Sequence, residues 1–320
     1  MEDIKVIILV AAYNNGEYVG ELLHSLTTQT HRNIEIYIRD DGSVDNTMDI
    51  VRQMKKKDPR IQILESQNTH VTPPGAMRNF FTLLQGVVMT EADYLMFCDA
   101  DDVWMDDKIE QTLSVMLATE GEYTKVTPIL VHTDLTVVDA KLNMISSSLF
   151  RYERLSPNRK TLKNITVQNN VTGCTVMINH SLRDMVNAIP REAIMHDWWL
   201  AMIAAAFGAI VPISQSTILY RQHGGNQIGA YKSSSLLEGY RKLTNRVRMK
   251  EIYRSMYRQA GCFADSFRAL LRESDLAMLQ GYARMEQLSK IKRITGTIRG
   301  RYYKNTLMRN IGQFLIILFE

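Results

Sequence analysis

The chain has 320 residues, 45% of them hydrophobic and 22% charged, which gives it the length and apolar content for a full core and argues against disorder on a large scale. Its three cysteines, Cys98, Cys174 and Cys262, are odd in number and widely spaced with no C-x-x-C pair, a pattern of neither a disulfide frame nor a zinc site. The net charge of +4 is unevenly divided: Lys232 to Arg309 holds 18 Lys and Arg against 6 Asp and Glu, while residues 1–231 carry a net −7.

The amino terminus, Met1-Glu2-Asp3-Ile4-Lys5, is charged and enters a short apolar stretch without a signal-peptide cleavage pattern. No stretch reaches the roughly 18 apolar residues of a membrane span, so the expectation is a cytoplasmic protein. Lys5 to Val10 is a β-rich run that breaks into turn chemistry at Ala11-Ala12-Tyr13-Asn14-Asn15-Gly16, after which Tyr18, Leu22, Leu23 and Leu26 mark an amphipathic helix. A second strand, Ile34 to Arg39, ends in Asp40-Asp41-Gly42-Ser43-Val44-Asp45-Asn46-Thr47 and leads to a helix carrying Ile50, Val51 and Met54. A third, Ile61 to Leu64, is followed by a Pro73-Pro74-Gly75 loop and a helix from about Ala76 to Val88. The alternation predicts a mostly parallel sheet with helices on both faces and a ligand along the carboxyl edge of its strands.

The fourth strand is the focus. Tyr94-Leu95-Met96-Phe97-Cys98 is an apolar run that stops in Asp99-Ala100-Asp101-Asp102 before Val103-Trp104. At a kinked strand end Asp99 and Asp101 can converge on one hard cation, Mg²⁺ or Mn²⁺, which would most naturally hold a diphosphate. The competing reading is a turn in which Asp102 caps a helix running through Lys108, Ile109 and Leu113. There is no G-x-G-x-x-G after the first strand and no G-x-x-x-x-G-K-[ST], so neither a dinucleotide nor a P-loop site is indicated.

Further on, Val171 to Ile178 reads as a strand in which Gly173 permits close backbone approach, with a helix from about Ser181 to Ala188. After Pro190, Met195-His196-Asp197-Trp198-Trp199 opens another helix, where an aspartate is either a cap or a catalytic group. Tyr220-Arg221-Gln222-His223-Gly224-Gly225-Asn226 reads as the end of an edge strand opening a Gly-Gly loop. From Tyr231 the pattern turns helical, through Leu236, Leu237, Tyr240, Leu243, Val247 and Ile252 to Phe267, with breaks expected near Gly261, Gly281 and Gly296. Interleaved basic, Tyr and Met residues and an apolar end, Ile311 to Phe319, fit attachment to an anionic membrane surface. A dimer interface and a basic groove for a lipid-linked acceptor's phosphates are compatible with this, and no nucleic-acid-binding motif occurs.

Tyr13-Asn14 after the first strand, Asp40-Asp41-Gly42-Ser43-x-Asp45-x-Thr47 and Asp99-x-Asp101-Asp102 together resemble the family 2 glycosyltransferases of the GT-A fold, over roughly residues 4–230. Trp104, His196-Asp197-Trp198-Trp199 and Tyr220-Arg221-Gln222-His223-Gly224 resemble the rhamnosyltransferase-like branch, although that branch has Ser-Asp-Gln-Asp-Asp where this chain has Cys98-Asp99-Ala100-Asp101-Asp102. The resemblance implies a GT-A nucleotide-sugar-binding domain over 1–230 and a basic helical appendage over 231–320. It implies that Tyr13 lies against the base or ribose and that Asp40, supported by Asp41, accepts from the N3–H of uracil or thymine. Asp99 and Ala100 would meet the ribose, with Arg78 within reach of the nucleotide. Asp101 and His223 would hold the cation, and Asp197 would take the acceptor proton. Gly173 and one of Trp198 and Trp199 would shape the sugar pocket, the other tryptophan filling core.

The function so implied is metal-dependent inverting transfer of a sugar, from dTDP-rhamnose or alternatively a UDP-sugar, to a lipid-linked glycan at the inner membrane face. Two other readings compete with it. An aspartate-nucleophile phosphatase would match Asp99-x-Asp101-x-Val103, but its motif opens on the first strand and needs a partner lysine. A catalytically inactive sugar-nucleotide or glycan scaffold would have no need of Asp101 and Asp197 together.

Overall fold

The computed structural model describes residues 2–65, 75–90, 93–186, 190, 192–224 and 246–319. Strands β1 (Val6–Ala12), β2 (Ile34–Asp40), β3 (Ile61–Ile63) and β4 (Tyr94–Asp99) alternate with helices α1 (Val19–Thr27), α2 (Thr47–Lys57) and α3 (Ala76–Gly86). They pair in parallel in the order β3-β2-β1-β4. The sheet continues through β8 (Val176–Asn179), β6 (Ile129–Asp139), β9 (Ala209–Gln222) and β5 (Val103–Trp104), with β7 (Met144–Ser146) beside β6. The long registers, including β6 with β9, are parallel, and the antiparallel ones are short. This is the expected α/β sheet with its carboxyl edge open.

Period-two alternation divides each central strand between two cores. Ile7, Leu9, Leu95 and Phe97 face α3 and α8 (His196–Phe207), while Val6, Ile8, Val10, Met96 and Cys98 face α1, α2 and α4 (Lys108–Glu122). Helix α1 meets its core through Val19, Leu22, Leu23 and Leu26, the three-and-four spacing of one helical face. At the α8–β9 junction a Cβ on Gly208 would lie 1.8 Å from the Pro128 carbonyl oxygen, so only glycine permits that approach.

Between β4 and α4 the chain forms β5, and α4 begins at Lys108 with Asp107 in the cap position. Asp102 therefore does not cap it; its carboxylate accepts from the Arg221 amide at 3.0 Å. Residues Gly173–Thr175 form a short 3-10 turn rather than the start of a strand, and the helix expected from Ser181 is α7 (His180–Asp184). The short helices α5 (Leu149–Tyr152) and α6 (Leu162–Val167) precede it. Strand β9 is not an edge strand, because β6 and β5 flank it.

The carboxyl-terminal helices are α9 (Arg246–Ser266), α10 (Glu273–Ala283), α11 (Lys290–Gly300) and α12 (Leu307–Phe319). Gly261, Gly281 and Gly296 lie inside them instead of ending them. A Cβ at Gly261 would touch that of Ala283 at 3.4 Å, and one at Gly296 would meet Met285 at 3.1 Å, so these glycines let helices approach closely. Tyr253, Met256, Tyr257 and Phe263 join the core that holds Ile7 and Trp199. Among the described residues no helix is long and apolar enough to cross a membrane. Pro73, Pro74, Ala188, Gly225, Asn226, Tyr231, Leu236, Leu237, Tyr240, Leu243 and the Val247 side chain lie outside the described residues.

Candidate active site

A cleft of about 180 Å³ opens where β1, β2 and β4 end, lined among others by Tyr13, Asp41, Asn79, Asp99, Asp101 and Asp197. Its floor is two interlocked loops. The amides of Asn14, Asn15 and Gly16 donate to Ser43 Oγ, Thr47 Oγ1 and Asp45 Oδ2 at 2.8, 2.8 and 2.9 Å, and Val44 N returns a bond to Asn14 Oδ1 at 2.9 Å. Asn14 takes φ 51° and Gly42 φ 95°, left-handed conformations that asparagine and glycine favour. The polar residues after β2 thus fasten the turn that presents Tyr13, a residue 49% exposed.

The two carboxylates of this loop part company. Asp40 accepts from the amides of Gly42 and Ser43 and from Ser43 Oγ, so it holds its own turn and is not among the cleft-lining residues. Asp41 lines the cleft, steadied by Arg39 Nη1 at 3.1 Å and by Gly75 N at 2.8 Å. The base contact expected of Asp40 is therefore open to Asp41 instead. Arg39 also bonds Asn79 Oδ1 at 2.9 Å. Asn79 lines the cleft, whereas Arg78 is not among the lining residues.

At the end of β4, Asp99, Ala100 and Asp101 all face the cleft. Burial, then the charges of Asp101 and Asp197, raise the Asp99 pKa above the usual carboxylate range. Asp101 Oδ2 lies 2.9 Å from His223 Nε2, which brings the two expected cation ligands together across 122 positions of sequence. Arg221, named in the sequence only as part of the Tyr220-to-Gly224 run and given no role there, lies between them. Its guanidinium donates to the Asp101 and Ala140 carbonyls at 2.8 and 2.7 Å, pairs with Glu21 and covers the Tyr18 ring, which in turn meets the His223 ring at 4.7 Å. Nothing local in sequence marks such a residue beyond its place in the Tyr-Arg-Gln-His run.

Ligand atoms of Asp99, Asp102 and Cys174 also lie within 4.8 Å of one another, deeper in the fold. Burial and the Asp102 and Asp99 carboxylates push the Cys174 thiol well up, so a protonated sulfur makes that group a poor set for a hard cation.

Asp197 also lines the cleft, from the first turn of α8; Met195 holds the cap position, so Asp197 is not a cap. Burial pushes its pKa up to about 7, against the pull of the Trp198 and Gly173 amides and the Asn169 side chain. Its Oδ1 is buried without a hydrogen-bond partner. Gly173 is required here, because a Cβ would lie 2.7 Å from the His196 ring. That ring packs on Phe80 and Phe97 at 4.0 and 5.0 Å, and burial lowers its pKa to about 3, so it is neutral.

A second cavity, of about 240 Å³, adjoins the first and shares Thr172, Met195, Asp197 and Tyr220 with it. Trp198 lines it, its Nε1 donating to the Ile165 carbonyl at 2.7 Å. Trp199 is buried against Phe263 and Phe267 and touches neither cavity, so it is core and not a pocket residue. The sequence gives Tyr220 only within the Tyr220-to-Gly224 run and Thr172 only within the Val171-to-Ile178 stretch, each without a role, and it does not mark Asn169; the polar Gln168-Asn169-Asn170 run is the signal that could have pointed to the last.

Comparison with known proteins agrees with this arrangement. The family model described as glycosyl transferase family 2 matches residues 7–186. The chain is 28% identical over 267 residues to the dTDP-rhamnosyl transferase RfbG of Shigella flexneri, covering 80% of this chain and 85% of that one. It is 37% identical over 124 residues to the putative glycosyltransferase EpsH of Bacillus subtilis, covering 39% of this chain and 33% of that protein. Among solved structures, S. aureus TarS 1-349 in complex with UDP-GlcNAc superposes with a TM-score of 0.56 at 18% identity, covering 98% of this chain and 80% of that one. The sheet order, the carboxylate-lined cleft and the family match over more than half its length agree: the chain belongs to glycosyl transferase family 2, with the GT-A fold.

Proposed function

We propose that the protein is a metal-dependent inverting glycosyltransferase that moves L-rhamnose from dTDP-rhamnose to a lipid-linked glycan at the cytoplasmic membrane face. A UDP-sugar is the nearest alternative donor. The observation that carries the reading is Asp197, a buried carboxylate with a pKa near 7 that lines the cleft together with Asp99 and Asp101 and is shared with the second cavity. A base so tuned removes the proton of an acceptor hydroxyl near neutral pH. As that oxygen attacks the anomeric carbon, the bond from carbon to the diphosphate oxygen breaks and the diphosphate leaves with the electron pair. Attack from the face opposite the leaving group inverts the centre.

In the donor cleft, Tyr13 lies against the base and Asp41 accepts from the pyrimidine N3–H, a charge-assisted bond. Asp99 and the Ala100 backbone bound the ribose. Asp101 and His223 would hold a divalent cation, a carboxylate oxygen and an imidazole nitrogen that the fold already brings to 2.9 Å from each other. Bound there, Mg²⁺ or Mn²⁺ would neutralise the charge of the departing diphosphate. The rhamnosyl assignment is supported by the name of RfbG, and the membrane assignment by the apolar stripe Leu307, Met308, Ile311, Leu318 and Phe319, exposed on α12 beside the basic α11.

Calorimetric titration with dTDP, UDP, GDP and their sugar nucleotides, with Mg²⁺ or Mn²⁺ and then with chelator, tests the reading. Metal-dependent binding of dTDP-rhamnose is the expected result. UDP-sugar binding alone would keep the mechanism and change the donor, and no binding under any condition would refute the site.

A further inference from the structure

The second cavity carries its own specification of a ligand. Asn170 and Asp197 both line it, and each keeps one oxygen, Oδ1, buried without a hydrogen-bond partner. The Asn170 carboxamide is locked by its other end, because Nδ2 donates to the Ser156 and Arg159 carbonyls at 2.7 and 3.3 Å. Flipping the amide would lose both bonds, so an acceptor oxygen is what Asn170 offers. Two unmatched acceptors call for a ligand that brings two donors.

The rest of the wall narrows the class. Among the described residues the lining includes Glu153 and Asp197 and no Lys or Arg, so the wall itself presents no cation to a phosphate. Trp198, fixed through its indole nitrogen, and Leu149, Leu155 and Val171 supply apolar surface. Hydroxyls along one edge and C–H groups on a face describe a sugar ring. The rim on the Glu153 side is tied to α12, where Arg309 Nη2 donates to the Glu153 carbonyl at 2.7 Å and pairs with its carboxylate at 3.5 Å.

Resting on the reading of Asp197 as the base, we propose that this cavity receives the acceptor as an uncharged sugar unit. One hydroxyl of that unit faces Asp197 and a second donates to Asn170 Oδ1. Any phosphate of the acceptor then lies outside the cavity, beyond the sugar that receives the transfer.

The test uses the full chain with dTDP present and octyl glycosides of glucose, galactose, N-acetylglucosamine and rhamnose, against octyl glycerol phosphate of the same chain length. Binding is read by ligand-observed NMR, so the result does not depend on turnover. At least one glycoside should bind and the phosphate head should not. Asn170→Ala should weaken that glycoside tenfold or more, and Trp198→Leu at least threefold, with dTDP affinity unchanged as the check on folding. Preference for the phosphate head, binding of no glycoside, or unchanged glycoside affinity in both variants would overturn the proposal. Asp197→Asn separates it from the reading beneath it: glycoside binding kept with transfer lost supports both, while transfer kept would remove the base and leave the cavity assignment standing.

Discussion

Asp197→Asn is expected to lose activity and gain stability, and both effects follow from one fact. The carboxylate is 8% exposed and its pKa is raised from 3.8 to about 7, first by burial. An acid whose folded pKa is raised binds its proton more tightly in the folded chain than in the unfolded one. Its contribution to stability is therefore favourable below pH 3.8 and is lost as pH rises through about 7. At about 1.36 kcal/mol per unit, a shift of roughly three units makes the ionised side chain cost about 4 kcal/mol at pH 8. Asparagine removes that cost but leaves an amide group at the position of the unpartnered Oδ1, a loss of about 1–2 kcal/mol, for a net gain of about 2–3. With an unfolding entropy of about 2.1 cal/mol/K per residue, the gain corresponds to roughly 3–5 °C in Tm at pH 8, and it should shrink as pH falls from 7 towards 4. Removing a general base costs about 10²–10⁴ in rate. Transfer by the native protein should fall about tenfold per unit below pH 7. Melting curves from pH 5 to 8 and initial transfer rates decide the matter. A variant that keeps more than a tenth of the native rate, or a Tm difference independent of pH, would refute the reasoning.

Asp101→Asn and His223→Ala should each weaken metal-dependent binding of the donor diphosphate at least tenfold in calorimetry, and chelator should then make little further difference, since each removes one ligand of the pair. Asp41→Asn should reduce affinity for dTDP and UDP by about 1.5–3 kcal/mol, the worth of a hydrogen bond to a charged group, whereas Asp40→Asn should act through loop stability instead. Gly173→Ala should abolish transfer, because its Cβ would drive the His196 ring away at 2.7 Å and crowd Asp197 at 3.4 Å; a near-native rate would refute that close fit. Replacing Leu307, Met308 and Ile311 by serine should lower the fraction bound to anionic vesicles by about tenfold or more without altering Tm, as all three side chains are exposed.

What the sequence disclosed and what it hid divide along a physical line. The strands β1 and β4 announced themselves because a strand buried on both faces is apolar throughout, β2 by its alternation of Ile34, Ile36 and Ile38 with more exposed residues, and the carboxylates stood out because they end such runs. Asp99, Asp101 and Asp197 could each be named as candidates from the sequence, and the fold lines one cleft with all three. The choice between Asp40 and Asp41 was not legible there, since neighbours in a turn point apart and Gly42 at φ 95° decides which faces the cleft. Strand β6 lies within the sheet yet does not stand out in the sequence, because His132, Thr133 and Asp134 interrupt its apolar run and only the fold shows them buried. Glycines inside α9, α10 and α11 were taken for breaks because local propensity favours that meaning, and only the facing helices reveal the close approach they permit. Arg221 is the sharpest case. Its partners Glu21, Asp101 and Ala140 lie 200, 120 and 81 positions away, so no window of sequence contains the interaction. A chemical group is thus readable from its own surroundings, whereas a group that aims it is readable only once the chain has brought them together. In this protein the Asp101–His223 contact depends on both kinds, since His223 meets Asp101 only as β9 delivers it to the loop between β4 and β5.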